Sequence, residues 1–210
     1  RRALFANIKK HSREIKGKVL DVGCGKKPYE HIFKCSEYIG MDMAATGHNH
    51  KNSKIDVFYD GRNFPFEENS FDSVICNEVL EHVFNPDDFI IEIYRVLKPG
   101  GVLLLTVPMV WDEHEQPYDY GRYTSFGLMH LFKKHKFDVI ALEKCGADLS
   151  VIFQLLNTYI YKTIVRKNVI SKIIVMMIIA PFNIIGALVS YIMPGNKDLY
   201  LDNVLLSKKI

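Results

Sequence analysis

Apolar residues gather in five short runs over the first half of the chain, and the first four end at or beside an acid or an amide. Val19, Leu20 and Val22 form the first, in Lys18-Val19-Leu20-Asp21-Val22-Gly23-Cys24-Gly25, which breaks into a glycine turn. Tyr38–Asp42, Ile55–Tyr59, Phe71–Asn77 and Val102–Val107 follow. Near-continuous apolar character is the mark of parallel strands buried on both faces. Between them lie helical patterns. Asn85-Pro86-Asp87-Asp88 predicts a helix start, with a cap, a proline at the first position and acids in the first turn. Phe89, Ile93, Val96 and Leu97 then line one face, and Lys98-Pro99-Gly100-Gly101 predicts its stop. Leu4, Phe5, Ile8 and Ile15 predict a leading helix, and Tyr29–Phe33 the start of another after the glycine turn. Thr124–His135 reads as a helix with Leu128, Leu131 and Phe132 inward, Phe137–Glu143 as a strand, and Leu199–Leu206 as a last strand. Strands alternating with helices predict an α/β, doubly wound, mostly parallel sheet.

One segment breaks the alternation. Ile173 to Met193 is 21 residues without a charge, long enough to cross a bilayer. Pro181, Asn183 and Gly186 lie inside it, so two short helices or a bent hairpin are expected rather than one straight rod. A single crossing would also strand the last strand on the wrong side of a membrane. A true span is therefore set aside. Lys162, Arg166, Lys167 and Lys172 stand just before it and suit an anionic lipid face. Peripheral membrane contact through residues 150–193 and burial against the chain's own core or a homodimer partner stay open at equal weight.

Composition narrows the class. The 210 residues, nearly half hydrophobic, suffice for one large domain or one domain with an appendage. A net charge of +3 argues against a dedicated nucleic-acid binder. Cys24, Cys35, Cys76 and Cys145 are scattered, which suits a reduced, cytoplasmic compartment, with association at the inner membrane face left open. There is no initiator Met and no signal-peptide pattern, so Arg1 need not be the natural start. His48 and His50 lack a completing acid or cysteine nearby and read as loop; no metal is expected.

Candidate chemistry sits at the strand ends. Gly23 and Gly25 let the backbone bend sharply and approach a ligand at the edge where open α/β sheets bind them. Asp42 falls about 20 residues beyond the bend, where related folds place a carboxylate on a ribose. Asp60-Gly61 follows the third strand, and Asn77-Glu78 the fourth. A nicotinamide-binding domain is the competing reading, but its Gly-x-Gly-x-x-Gly pattern needs glycine where this chain has Pro28.

From Val19 to Val107 the chain resembles the class I S-adenosylmethionine-dependent methyltransferases, most closely the small-molecule group related to quinone-biosynthesis enzymes. The marks are Val19–Gly25, Asp42, Phe64-Pro65-Phe66 with Ser70-Phe71-Asp72, Glu78-Val79-Leu80-Glu81-His82-Val83, and Leu97-Lys98-Pro99-Gly100-Gly101. The resemblance implies a seven-stranded Rossmann-like sheet with an antiparallel last strand, and the apolar segment reads as a helical hydrophobic insert before that strand. With the apolar pattern it gives one methyltransferase domain over 1–210: an N-terminal helix at 1–17, a cofactor-binding core at 18–145, the insert at 150–196 and the last strand at 199–208. S-adenosylmethionine would lie over Asp21, Gly23, Cys24 and Gly25 at its methionine end. Asp42 would meet the ribose, with Met43 beside it also facing the cofactor, Asp60 and Gly61 would meet the adenine, and Asn77 and Glu78 would floor the sulfonium. The family often carries a third glycine where this chain has Lys27.

The acceptor would be a small, sugar-like or lipid-linked molecule, with a catalytically inactive cofactor-binding scaffold as the alternative. For proton removal the run Trp111–Tyr123 offers His114 as the preferred base and Arg122 as an anion anchor, and His82 is a further candidate. A loop held by Tyr and Arg hydrogen bonds, with no proton transfer, carries equal weight for that run.

Overall fold

The computed structural model describes residues 2–44, 53–165 and 169–210. His48, His50, Arg166 and Lys167, named above, lie outside the described residues. Contacts divide the chain into two compact units, one of residues 1–109, 113–145 and 202–210, the other of 110–112 and 146–201.

The first unit is built on seven strands: β1 (Lys18–Val22), β2 (Glu37–Met43), β3 (Val57–Tyr59), β4 (Phe71–Asn77), β5 (Leu97–Pro108), β6 (Phe137–Cys145) and β7 (Asp202–Lys209). Their order is β3-β2-β1-β4-β5-β7-β6. β1 to β5 pair in parallel, and β7 runs antiparallel to both β5 and β6. This is the mostly parallel sheet with an antiparallel last strand that the sequence predicts.

Why the runs are continuously apolar is visible in how neighbours divide. Leu20, Val74, Leu103 and Leu205 enter one core with Phe89, Ile90 and Ile93 of α2 (Pro86–Val96) and Leu128 and Phe132 of α3 (Ser125–Lys134). Their chain neighbours Val19, Ile75, Leu104, Val204 and Leu206 enter the other, with Leu4 and Ile8 of α1 (Arg2–His11). Successive side chains of a strand point to opposite faces, so a sheet covered on both sides needs apolar residues at every position. Each fully buried Leu or Ile contributes about 1.5–3 kcal/mol.

Several local expectations shift. The glycine turn leads only into a single 3-10 turn at Glu30–Ile32. Lys98-Pro99-Gly100-Gly101 belongs to β5 rather than to a loop: Leu97 pairs with Phe71, and the ladder then shifts register before Ser73 meets Val102. Gly100, at φ +75°, takes up that irregularity. Asn85 precedes α2, but its side chain makes no capping hydrogen bond. Thr124 does cap α3, its hydroxyl accepting from the Gly127 N–H at 3.1 Å.

The second unit contains α4 (Ser150–Ile164) and α5 (Val169–Ile192). The two helices pair, but α5 runs unbroken from Val169 through Pro181, against the expected break. A proline removes one backbone donor from the ladder. Here the half of α5 beyond it is held independently: Asn157 donates to the Asn183 side chain at 2.7 Å, and Gly186 lies where an added Cβ would come 2.7 Å from the Phe153 ring. α5 is long and apolar enough to cross a membrane by length and composition, and little of it is buried.

Candidate active site

The bend after β1 is folded back onto β2. The N–H groups of Gly23 and Cys24 both donate to the Met41 carbonyl, at 2.8 and 3.1 Å. Gly23 has φ +69°, and an added Cβ would come 2.3 Å from Val79, so both conformation and space exclude a side chain. Gly25, at φ +47°, is different: a Cβ there would meet nothing within 4 Å. The surface above it is open. Cys24 is buried and turned toward Gly40, so it offers a ligand only its backbone.

Asp42, on β2, ties the two strand ends together. One carboxylate oxygen accepts from the Gly25 N–H at 3.0 Å and the other from the Met43 N–H at 2.8 Å. Asp21 is almost fully buried and accepts from the Tyr38 hydroxyl at 2.7 Å. Burial pushes its carboxyl up to about 7, and the Tyr38 hydrogen bond only partly opposes this. Lys27 takes the left-handed conformation (φ +52°) that a glycine would adopt freely. Its ammonium pairs with Asp56, which also accepts from the Gly40 N–H at 2.7 Å, and its stem lies against Gly40. The lysine is thus accommodated by an ion pair with the half-exposed Asp56, just before β3, rather than by a change in the bend.

At the end of β3, Asp60 accepts from the N–H groups of Arg62 and Asn63, at 2.8 and 3.1 Å, which shapes the turn around Gly61 (φ +83°). Met43, Asp60 and Gly61 line a cleft of about 770 Å³, as do His82, Glu115, Tyr118 and Tyr120. The three acids therefore stand at the ends of three adjacent parallel strands, beside the glycine bend.

The end of β4 is unusual. Glu78 is held at φ +52°, its N–H donating to the Thr106 carbonyl at 3.0 Å. Asn77 Oδ1 and Glu78 Oε1 are buried and make no hydrogen bond among the described residues. Both oxygens of Glu81 are in the same state. Burial holds the Glu78 and Glu81 carboxyls well above the usual range; Asp202 adds to this at Glu78, and Glu78 adds to it at Glu81.

The run after β5 meets this end. His82 Nδ1 is 2.7 Å from the Tyr118 carbonyl, and the His82 and His114 rings meet edge to face with centroids 4.8 Å apart. His114 Nδ1 is 3.3 Å from Asp119. Arg122 grips Asp119 through both terminal nitrogens, at 2.6 and 2.8 Å, and also donates to the Gly121 carbonyl. That grip holds the Asp119 carboxyl down to about 2. In this structure Arg122 clamps Asp119, so the guanidinium expected to anchor a ligand anion is already engaged. Of the same run, Trp111 and Asp112 belong to the second unit, where Asp112 pairs with Lys162.

His82, His114, Glu115 and the strand-end acids were all visible as residue types. Tyr38, Glu81 and Asp119 carry no spacing signal of their own, although Glu81 lies inside the Glu78–Val83 run and Asp119 inside Trp111–Tyr123. Glu81 is marked by burial, and Tyr38 and Asp119 by the side chains they meet, neither of which sequence spacing reveals. The open surface over Gly25 and the unpaired Asn77 and Glu78 oxygens are what a nucleoside-sulfonium ligand needs: room at the bend and acceptors beyond it.

Comparison with known proteins agrees. A family described as "Methyltransferase domain" matches residues 20–105. The fatty-acid O-methyltransferase of Mycolicibacterium smegmatis is 33% identical over 105 residues, covering 44% of this chain and 38% of that protein. The sterol 24-C-methyltransferase of Yarrowia lipolytica is 29% identical over 154 residues, covering 63% of this chain and 39% of that protein. The chain thus spans well under half the length of these two relatives. In fold it is similar to phosphoethanolamine N-methyltransferase 2 of Haemonchus contortus, solved with S-adenosyl-L-methionine, with a TM-score of 0.60 at 19% identity, covering 98% of this chain and 51% of that one.

Proposed function

Because this chain belongs to the class I S-adenosylmethionine-dependent methyltransferases, we propose that it moves a methyl group from that cofactor to a small, sugar-like or lipid-linked acceptor. One observation carries the reading: Asp21, Asp42 and Asp60 end three adjacent parallel strands beside an open glycine bend. The cofactor supplies the electrophile, a methyl on a sulfonium. The protein's part is to grip the nucleoside, align the acceptor and exclude water, and alignment alone is worth several kcal/mol. Asp42 has acceptor capacity for two ribose hydroxyls, since each of its oxygens carries more than one lone pair. Asp60 faces the cleft where adenine would lie, with Gly61 and Met43 beside it. Asp21 would hold the cofactor's amino group, and Asn77 and Glu78 would line the floor beneath the methyl.

Support for a lipid-linked acceptor comes from relatives named for fatty-acid and sterol methylation. The cleft adds apolar lining from Val83, Phe84, Phe89 and Ile91. His82, or His114 beside it, would take a proton from an oxygen or nitrogen acceptor, worth about 10²–10⁴ in rate. Calorimetry with S-adenosylmethionine and its demethylated product should give one site for each. A chain that binds neither would end the proposal. Methyl-release assays over fatty acids, sterols and lipid-linked sugars then decide the acceptor. Binding without turnover on any of them would favour the inactive scaffold.

A peripheral place on the inner membrane face belongs to the same reading. Residues 149–197 contain no Asp or Glu but five Lys or Arg, and α5 exposes Ile173, Met176, Met177, Ile184 and Leu188. Basic flanks with an apolar face suit anionic lipid. The protein should float with vesicles rich in phosphatidylglycerol and less so at 0.5 M than at about 0.1 M salt, where the screening length is about 10 Å. Protein that stays at the bottom of the gradient, and sediments as a dimer, would assign the face to a second subunit instead.

A further inference from the structure

We propose that Lys27 is a positioning residue of the cofactor site: it ties the glycine bend to the segment before β3 and supplies the positive charge that readies Asp21 for the cofactor's amino group. The inference rests on the cofactor reading above, and it assigns Lys27 no contact with the ligand.

The side chain is built into the site. At φ +52° a lysine is strained where a glycine is not, so the contacts it makes must offset that cost. β2 leaves room for it: a Cβ added at Gly40 would come 2.4 Å from Lys27 Cε and 2.7 Å from Cys24 Sγ. The lysine side chain is buried, and its ion-pair partner Asp56 also accepts from the Gly40 N–H at 2.7 Å. The Asp56 N–H donates in turn to the Gly40 carbonyl, and the Lys54 N–H to the Gly25 carbonyl, both at 2.9 Å. Gly25 is therefore held at both its polar groups, its N–H by Asp42 and its carbonyl by Lys54. Lys27 closes this ring of bonds from the bend to Asp56. The surface over Gly25 thus keeps one shape before a ligand arrives, and groups fixed beforehand cost a ligand less to engage.

The charge has a second effect. The ammonium lies over the Tyr38 ring, 5.5 Å from its centroid, and the hydroxyl of that ring donates to Asp21. One aromatic ring therefore separates a cation from the acid it influences. The groups around Asp21 divide. The Tyr38 hydroxyl and the Lys27 ammonium favour its ionised form, while burial and the acids Asp42 and Glu30 oppose it. Cys24 and Cys76, which also feel Asp21, stay neutral because burial raises both thiols. Lys27 supplies the cation in that set, and without it the balance moves toward the protonated acid, which cannot pair with an ammonium.

The test is calorimetry of S-adenosylhomocysteine binding to the full chain across about pH 5 to 9, for the parent, Lys27→Met, Lys27→Arg and Asp56→Asn. Met and Arg carry the same backbone cost at position 27, so a difference between them reports charge. Parent affinity should rise to a plateau as Asp21 ionises. In Lys27→Met the midpoint of that rise should move up by about one pH unit, with affinity on the order of tenfold weaker at neutral pH. Lys27→Arg should return the midpoint to the parent's. Asp56→Asn leaves the ammonium unneutralised, so its midpoint should move down. A Lys27→Met midpoint that stays at the parent's overturns the proposal, whether affinity is kept or is lost evenly at every pH. If Lys27→Met fails to fold, Asp56→Asn decides, and an unmoved or raised midpoint there overturns it. A parent that binds no S-adenosylhomocysteine ends the cofactor reading and this proposal with it. A parent that binds beside an indifferent Lys27→Met ends this proposal alone.

Discussion

Asp42→Ala should weaken S-adenosylmethionine binding by about a hundredfold or more while leaving the protein folded. Hydrogen bonds to a charged group contribute about 1.5–3 kcal/mol each, and two ribose hydroxyls on one carboxylate give about 3 kcal/mol at the low end. Every 1.4 kcal/mol is a factor of ten. The carboxylate also receives the Gly25 and Met43 N–H groups. The site is only half buried, so water can replace the lost acceptor and the melting temperature should move by a few degrees at most. Asp42→Asn, which keeps one acceptor oxygen, should fall between parent and alanine. Calorimetry against the demethylated cofactor checks both. Parent-like affinity in Asp42→Ala would show that the ribose does not sit on this carboxylate.

The second large effect concerns Asp21, and it has opposite signs for stability and binding. Its carboxyl is pushed up to about 7 by burial, against about 3.9 in an unfolded chain. Between those values the native protein holds a proton that the unfolded chain has released. The contribution of Asp21 to the stability of the cofactor-free protein therefore falls as pH rises from about 4 to 7 and levels off above, since stability rises with pH only where the unfolded state binds more protons. Asp21→Asn removes that penalty. The variant should match the parent near pH 4 and be more stable at pH 8, by an amount on the order of a few kcal/mol. Cofactor binding should go the other way, because a cationic amino group needs the ionised carboxylate. Affinity in the parent should rise between pH 6 and 8, and in Asp21→Asn it should be flat and at least tenfold weaker. Thermal melts from pH 4 to 8 test the first half. An unchanged pH slope in Asp21→Asn would locate the penalty elsewhere. Stability given up to hold a reactive group ready is a common cost of function.

Both effects depend on residues whose positions follow from local rules. A short apolar strand buried on both faces must be nearly all apolar, so Val19-Leu20 and Val74-Ile75 announce themselves as strand. The polar residues that end such runs fall at the sheet's edge. Gly23 and Gly25 mark a bend because only glycine takes those backbone angles without strain. Parallel pairing of β1 to β4 then places Asp21, Asp42, Asp60 and Glu78 along one edge, since parallel strands end on the same side. That much is short-range information, and sequence carries it.

Long-range pairing is a different matter. The slot of β7 between β5 and β6 depends on a register that no local pattern encodes, and the unbroken course of α5 through Pro181 rests on its partner helix. Lys27 looks like an intruder in a glycine motif until Asp56 is seen beneath it. Glu81 and His82 come together with His114 because β4 and β5 are neighbours and both deliver their following loops to one edge. The sequence by itself determined the strands, the bend and the acids at the strand ends, because these follow from the geometry of a few consecutive residues. Only the tertiary structure decided which distant side chains share a desolvated pocket, because burial and unpaired charge are properties of the packed chain and of no segment alone.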